Sequence, residues 1–144
     1  DYWWSTMAKM NAFLEENKLQ SIHFLHNNAY LCEDTAVCAA RGWITPSDKQ
    51  FKADDRKIYE RELIRFEASL KEAKKLSENI IAALHFPPDD AFATVADAYG
   101  ASTVIFGHLH GRSAEDYVVK YDNCHLVSAD YLKFKPKPIG KLTV

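Results

Sequence analysis

Apolar side chains recur at helical spacing through residues 54–77, where they follow one another at intervals of four and three residues. This spacing predicts a long amphipathic helix, because such positions share one face. The apolar stripe consists of Tyr59, Leu63, Phe66, Leu70 and Ala73. The charged residues on the opposite side are expected to be a solvated face; they are Arg61, Glu62, Arg65, Glu67, Lys71, Glu72 and Lys75.

Two short apolar runs come after that helix and have a different pattern. Residues 80–84 are a short continuous apolar run, which predicts a strand buried on both faces, and residues 102–106 repeat the pattern as a brief apolar strand. Pro87 and Pro88 end the first run, because proline cannot continue a strand ladder. A short helix is predicted between the runs, at about 89–99, with Gly100 as its C-cap. Strand, helix and strand in this order predict an α/β layer.

The two ends of the chain are less regular. Residues 5–17 predict a helix with Ser5 as its N-cap, and residues 21–33 predict a hairpin that turns at Asn27-Asn28. A third strand is expected from Thr35, and a polar loop at 45–55. The tail predicts further strands within 115–123, 124–132 and 140–144. Antiparallel strands at both ends would make the sheet mixed, so the expected fold class is α/β with α+β character.

Length and composition fit one domain over residues 1–144. The net charge of −2 gives no broad attraction to nucleic acid or to an anionic membrane. No apolar run reaches the length of roughly 18 residues that a membrane span needs. The three cysteines are sparse and form no CxxC pair, which favours a reduced, cytoplasmic protein.

The stretch IFGHLHG contains two histidines, His108 and His110, one residue apart between glycines. His85 comes after the preceding strand, and the carboxyl ends of strands in α/β sheets are where ligands bind. We expect Gly107 and Gly111 to let the chain bend, so that all three imidazoles converge. Imidazole is a good ligand for zinc, manganese and iron. The competing interpretation is that each is a hydrogen-bonded polar residue at a strand end.

Other candidate residues carry weaker signals. Arg41 ends a predicted strand beside Gly42, and its guanidinium could grip a phosphate; the alternative is a surface arginine. A structural interpretation is favoured for the remaining histidines, His23, His26 and His125. A structural zinc site would have to use Cys32, Cys38, Cys124 and His125, whose spacings match no zinc ribbon or finger.

Several motifs together resemble the calcineurin-like metallophosphoesterases. The sequence GHLHG is similar to the last motif of that family, Gly-His-x-His, and LHFPP is similar to the single-histidine motif before it. The initial DYWW is similar to the residues that come after Gly-Asn-His in the central motif. The segments ARGWITP and YERELIRFEASL resemble a bacterial branch of predicted phosphohydrolases. The resemblance covers nearly the whole chain in order and spacing.

That resemblance implies a sandwich of two mixed β-sheets flanked by helices, with a dinuclear metal centre at the strand ends. His85 and His108 would bind one ion and His110 the other, while Asp1 would orient a catalytic histidine just upstream. That histidine, the asparagine ligand, the bridging aspartate and the Asp-x-His motif are absent from the 144 residues. The chain is therefore expected to be the C-terminal part of a phosphoesterase domain, incomplete on its N-terminal side.

The implied activity is hydrolysis of a phosphate monoester or diester by water activated at two divalent ions, manganese, iron or zinc. The chain alone would be an inactive hydrolase fragment with a partial or empty metal site. The expected partner is a small phosphorylated substrate or a phosphoprotein. Strand faces and edges left exposed could support a dimer. The alternative is a non-catalytic binding or scaffold domain that keeps the fold.

Overall fold

The computed structural model describes residues 5–139, which form a mixed α/β fold. Asp1 and the strand predicted at 140–144 lie outside the described residues. Four helices flank one five-stranded sheet in this part of the chain. The helices are α1 (Met7–Glu16), α2 (Ala53–Leu76), α3 (Asp90–Ala98) and α4 (Arg112–Glu115). The strands are β1 (Ala29–Cys32), β2 (Thr35–Ala40), β3 (Asn79–Leu84), β4 (Ala101–Phe106) and β5 (Cys124–Leu126).

The sheet has the strand order β1-β2-β3-β4-β5, so each strand pairs with its neighbours in sequence. Strand β1 is antiparallel to β2, whereas β2, β3, β4 and β5 run parallel to one another. The register pairs Leu84 with Ala40 on one side and with Phe106 on the other. The carboxyl ends of four adjacent strands therefore lie along one edge of the sheet.

The core lies between one face of the sheet and helices α2 and α3. Buried positions alternate along β2 and β3, as the period of two in a strand requires. Phe66 and Leu70 of α2 and Phe92 of α3 belong to the same buried cluster as these strand residues. The prediction that residues 80–84 are buried on both faces is wrong, because Ile81 and Ala83 are only half-buried. The helices cover one face, and the other carries partly exposed apolar side chains.

The predicted hairpin at residues 21–33 is also wrong. The antiparallel pair consists of β1 and β2, and the tight turn falls at Glu33, which has a φ of 55°. Asn27 does adopt a left-handed φ of 58°, but this bend leads into β1 from an irregular segment. The Asn28 side chain accepts a hydrogen bond from the His26 backbone N–H at 2.6 Å and donates one to the Phe24 carbonyl.

The sequence predicted the helices more accurately than it predicted the tail. Helix α1 begins after Thr6, whose hydroxyl caps it, rather than after Ser5. Gly100 comes after α3 with a φ of 74°, as its predicted capping role requires. In the tail, residues 115–123 form no strand and β5 is parallel to β4, so the expected antiparallel strands there are wrong. No helix within residues 5–139 has the length and apolar character needed to cross a membrane.

Candidate active site at the carboxyl edge of the sheet

The loops after β2, β3 and β4 are joined by backbone hydrogen bonds. The Arg41 carbonyl accepts from the His85 N–H at 3.0 Å and from the Phe86 N–H at 3.1 Å. The His85 carbonyl in turn accepts from the Gly107 N–H at 3.2 Å. These bonds continue the parallel ladder by one residue beyond each strand. One edge of the sheet therefore carries three candidates that the sequence analysis identified separately: Arg41, His85 and the Gly107–Gly111 segment.

The imidazoles of His85 and His108 are in direct contact. Nε2 of His85 lies 3.0 Å from Nδ1 of His108, which is hydrogen-bond distance. The ring of Phe86 packs against His108 with centroids 4.2 Å apart. Burial, followed by the charge of His108, lowers the pKa of His85 to about 4. Burial also lowers the pKa of His108. Both rings are therefore neutral near pH 7, and in this contact one ring nitrogen donates its N–H to the lone pair of the other.

The backbone bends at His108 itself rather than at Gly107. His108 has a φ of 69°, a left-handed conformation that is uncommon for a residue with a side chain. Gly111 also has a positive φ, 53°, as predicted, but Gly107 does not. Strand β4 ends directly before Gly107, where the chain was predicted to leave strand geometry. A residue with a strained backbone is a feature often found in functional sites.

His110 is held by Asp130, a residue that the sequence analysis missed. Nδ1 of His110 lies 2.8 Å from Oδ1 of Asp130, and the Gly111 backbone N–H donates to Oδ2 at 2.8 Å. The hydrogen bond from Gly111, followed by that from His110, lowers the pKa of Asp130 to about 2. A carboxylate this acidic is ionised at neutral pH. It therefore fixes Nδ1 as the protonated nitrogen and leaves Nε2 of His110 as the basic one.

The spacing of these nitrogens partly fits a metal ion. Bonds of roughly 2.1 Å place two ligand atoms of one ion about 3.0–3.4 Å apart at ligand angles of about 90–110°. The 3.0 Å separation between His85 and His108 is at the short end of that range. However, no three His, Cys, Asp or Glu side chains within residues 5–139 form a group arranged to hold an ion. The described residues thus place one pair of imidazole nitrogens at a spacing that a metal ion could use, and they form no group of three ligands.

Arg41 is anchored by Glu62, and this contradicts the solvated role predicted for Glu62. Glu62 lies on α2 and is only 1% exposed. Its Oε1 lies 3.2 Å from a guanidinium nitrogen of Arg41 and 2.8 Å from one of Arg65. The Arg41 guanidinium also stacks over Trp43 at 4.5 Å. The site therefore contains a positioned cation whose charge contributes to lowering the pKa of His85.

A cavity of about 710 Å³ opens beside His108. Its walls come from the loop after β2, the Phe86–Asp90 turn and the segment 117–121. Aromatic rings of Trp43, Phe86, Tyr117 and Tyr121 form much of its lining. The volume lies within the range of roughly 300–1,000 Å³ that is typical of small-molecule sites. This cavity was not anticipated, because its walls come from segments far apart in the sequence.

The remaining candidates lie away from this edge. Cys38 is in β2 and Cys124 in β5, with two strands between them, so they cannot share an ion. His23 packs near Tyr30, with ring centroids 5.0 Å apart. His125 lies within β5. His26 is the exception, because this exposed residue of an irregular segment lines a cavity together with Arg41. Asp1 lies outside the described residues.

Comparisons of the chain with protein-family models, with curated proteins and with solved structures found no match. The geometry of the carboxyl edge is thus the basis for assigning a function.

Proposed function

We propose that the protein is a metal-dependent phosphoesterase and that this chain supplies the histidine side of its metal site. The observation that carries the proposal is the contact between His85 and His108 at the ends of adjacent parallel strands. Two neutral imidazoles share one spot there, and His110 lies two residues later with its ring held by Asp130. Sites of this composition suit zinc, manganese or iron.

In the proposed site, His85 and His108 bind one divalent ion through ring nitrogens, and His110 binds a second. Such ions would supply Lewis-acid activation of water and neutralise charge on the phosphate. The Asp130 carboxylate keeps the His110 ring oriented. Arg41, anchored by Glu62, is the proposed cation for a phosphate oxygen, since a guanidinium matches phosphate geometry.

Imidazole ligands carry no negative charge, so three of them cannot offset the charge of two divalent ions. The proposed activity therefore needs carboxylate ligands in addition to the residues described here. The resemblance to the metallophosphoesterases implies that those ligands lie in upstream motifs, within a fold of two packed sheets. The half-buried side chains Ile81 and Ala83 on the helix-free face are suited to such packing. On this proposal the isolated chain holds a partial site and is inactive.

The test uses the protein expressed from the complete reading frame that contains this chain. Metal content and hydrolysis of p-nitrophenyl phosphate and bis-p-nitrophenyl phosphate are measured together. We expect bound manganese, iron or zinc and metal-dependent turnover of at least one ester. His85→Ala and His108→Ala should each remove turnover, because each deletes a proposed ligand.

His23→Ala is the matched control, since His23 is an exposed histidine whose ring packs near Tyr30 of β1. It should leave metal content and turnover at the wild-type level. Full turnover in His85→Ala or His108→Ala, with circular dichroism showing a folded protein, would remove the assigned roles. A protein that binds no divalent ion and hydrolyses neither ester would refute the proposal as a whole.

The alternative is a non-catalytic binding domain. It is favoured by the finding that the described residues contain no ready-made group of three metal-ligating side chains. On this alternative the His85–His108 contact is a neutral hydrogen bond with a structural role. The same metal analysis separates the two, because only the phosphoesterase requires stoichiometric metal.

A further inference from the structure

Helix α1 keeps its apolar side accessible. None of its residues is buried, although Met10, Phe13 and Leu14 recur at helical spacing. A helix of a folded domain normally buries such a stripe against its core. Phe13 is 57% exposed, and Leu19 and Ile22 in the segment after the helix are exposed as well. A contiguous apolar surface of this kind is a common feature of binding sites.

The apolar side of α1 forms one wall of a cavity of about 470 Å³. The chain that follows the helix forms the opposite wall. The apolar lining residues are Met10, Phe13, Leu14, Leu19, Ile22 and Phe24. The other described residues of the lining are Ser5 and Lys9, so no described carboxylate faces this space. The cavity is therefore suited to hydrocarbon, whose transfer out of water is favourable.

A second cavity, of about 420 Å³, adjoins the first, because Ser5 and Met10 line both. Arg41 and Arg65 both line this second cavity. Their guanidinium nitrogens lie 3.2 Å and 2.8 Å from the same oxygen, Oε1 of Glu62. Glu62 is only 1% exposed, so it holds the two cations from inside the protein. One end of the joined cavities thus carries charge and the other is apolar.

The charged end has an excess of one positive charge. It contains the two guanidinium groups of Arg41 and Arg65, and Glu62 is the one carboxylate among the described residues that line either cavity. The Arg65 side chain is 34% exposed, which leaves part of its surface for a ligand while it pairs with Glu62. Guanidinium groups bind carboxylates through paired, charge-assisted hydrogen bonds. A single excess charge matches a ligand with one negative charge.

We infer that the two cavities form one binding site for an alkyl carboxylate of the fatty-acid type. The carboxylate contacts Arg65 and Arg41, and the alkyl chain lies along the apolar side of α1. This site goes beyond the proposed phosphoesterase function, and Arg41 is the one described residue assigned to both. Neither the charged end nor the apolar end alone specifies such a ligand, but their adjacency selects a molecule with one anionic head and one apolar chain.

The test is calorimetric titration of the protein from the complete reading frame with octanoate. Three other probes each change one property of the ligand. Octan-1-ol has the chain without the charge, acetate has the charge without the chain, and octylammonium reverses the sign of the charge. We expect the Kd of octanoate to be at least about tenfold lower than that of each of the other three.

Arg65→Gln removes one guanidinium and leaves Glu62 paired with Arg41. It should weaken octanoate binding by about tenfold and leave octan-1-ol binding unchanged, because only octanoate has a charged head. The matched control is Arg61→Gln, which changes an exposed arginine of α2 outside both cavity linings. It should keep the wild-type Kd. Circular dichroism confirms that each variant is folded.

Phe13→Gln tests the apolar end from a position where the side chain is exposed, so that folding is preserved. It should weaken octanoate binding by about fivefold, because the alkyl chain loses an apolar contact. It should leave the weaker binding of acetate unchanged. The two variants together therefore separate the contribution of the charged end from that of the apolar end.

Several outcomes would overturn the inference. Equal binding of octanoate and octan-1-ol would remove the assigned carboxylate contacts, and equal binding of octanoate and acetate would remove the alkyl channel. No binding of octanoate by the folded protein would refute the site as a whole, including the case in which another part of the protein covers α1. Binding to phosphatidylglycerol vesicles without binding of octanoate would indicate a membrane surface instead. Hydrolysis of the nitrophenyl esters is measured separately, so the phosphoesterase proposal stands or fails independently.

Discussion

Asp130 lies 20 residues after His110 in the sequence, yet its carboxylate accepts a hydrogen bond from the imidazole Nδ1 at 2.8 Å. The second carboxylate oxygen accepts from the Gly111 backbone N–H, so Asp130 is fixed by two contacts. Metal-binding histidines usually donate their other ring N–H to a carboxylate or carbonyl. The relationship is therefore the one expected of a positioning residue behind a metal ligand.

Asp130→Asn should weaken metal binding in the protein from the complete reading frame by about 10–100-fold, the usual effect of losing such a carboxylate. The amide keeps the shape of the side chain but carries no charge, so it holds the Nδ1–H of His110, and with it the orientation of the ring, less firmly. The measurement is metal affinity by competition with a chelator, with circular dichroism to confirm folding. Asp97→Asn, an exposed aspartate on α3, is the control and should change nothing. Unchanged affinity in Asp130→Asn would mean that the contact has only a structural role.

The burial of Glu62 predicts that replacing this residue destabilises the protein measurably. Glu62→Ala leaves two partly buried guanidinium groups, on Arg41 and Arg65, without their shared carboxylate. We expect the free energy of unfolding to fall by about 1–3 kcal/mol, as for other lost partners of buried polar groups. Glu60→Ala removes an exposed ion pair with Arg56, in which the nitrogen and oxygen lie 3.9 Å apart. This change should lower the free energy of unfolding by less than about 0.5 kcal/mol. Urea unfolding followed by circular dichroism compares the two, and equal midpoints would contradict this account of Glu62.

The elements with strong periodicity were predictable from the sequence. Helix α2 begins and ends within one residue of its predicted limits, because 24 residues of regular spacing outweigh local ambiguity. Strands β3 and β4 were also predicted, since each is a short apolar run with a clear end. At the carboxyl edge, the order of the strands places His85 and His108 together once the sheet is parallel.

The parts that were missed depend on contacts between distant residues. Glu62 has the spacing of a solvated charge, and only its pairing with Arg41, 21 residues away, explains its burial. Asp130 lies in an irregular segment whose sequence carries no motif. The hairpin was misplaced because Asn27-Asn28 and Glu33-Asp34 both suit tight turns, and pairing with β2 decides between them. Such choices are settled by tertiary contacts, which local pattern does not encode.

The backbone at His108 predicts an unusual response to glycine. A left-handed φ of 69° is unfavourable for histidine by about 1–2 kcal/mol and nearly free for glycine. His108→Gly gains this energy and loses the packing of the imidazole on Phe86, so the two effects roughly cancel. We expect the free energy of unfolding to stay within about 1 kcal/mol of wild type. His125→Gly, within strand β5, should be clearly more destabilising, because glycine weakens a strand interior. Urea unfolding of both variants is the check, and a larger loss at His108 would argue against backbone strain there.

The three cysteines predict a sharp difference in reactivity. Cys32 is exposed, whereas Cys38 and Cys124 are buried. Burial raises the pKa of Cys38 to about 12 and that of Cys124 to about 11. The thiolate is the reactive form, so the buried thiols are protonated as well as shielded at pH 8. Titration with Ellman's reagent at pH 8 should label one thiol per chain quickly in the folded protein and all three in guanidinium chloride. Rapid labelling of two or more in the folded protein would contradict the described packing of β2 and β5.

The raised pKa of Cys38 also determines whether the free energy of unfolding rises or falls with pH. The folded-state pKa of Cys38 is raised above its ordinary value of 9.0, so its contribution is fully present below pH 9. As pH rises from 9 toward 12, the unfolded thiol ionises first and stability falls. Cys38→Ala removes this titration, so its unfolding free energy should decline less steeply over that range, as measured by urea unfolding at pH 8, 9 and 10. Cys32→Ala changes an exposed thiol and should keep the wild-type slope of unfolding free energy against pH. If the wild type, Cys38→Ala and Cys32→Ala all had the same slope, Cys38 would ionise as readily in the folded protein as in the unfolded one.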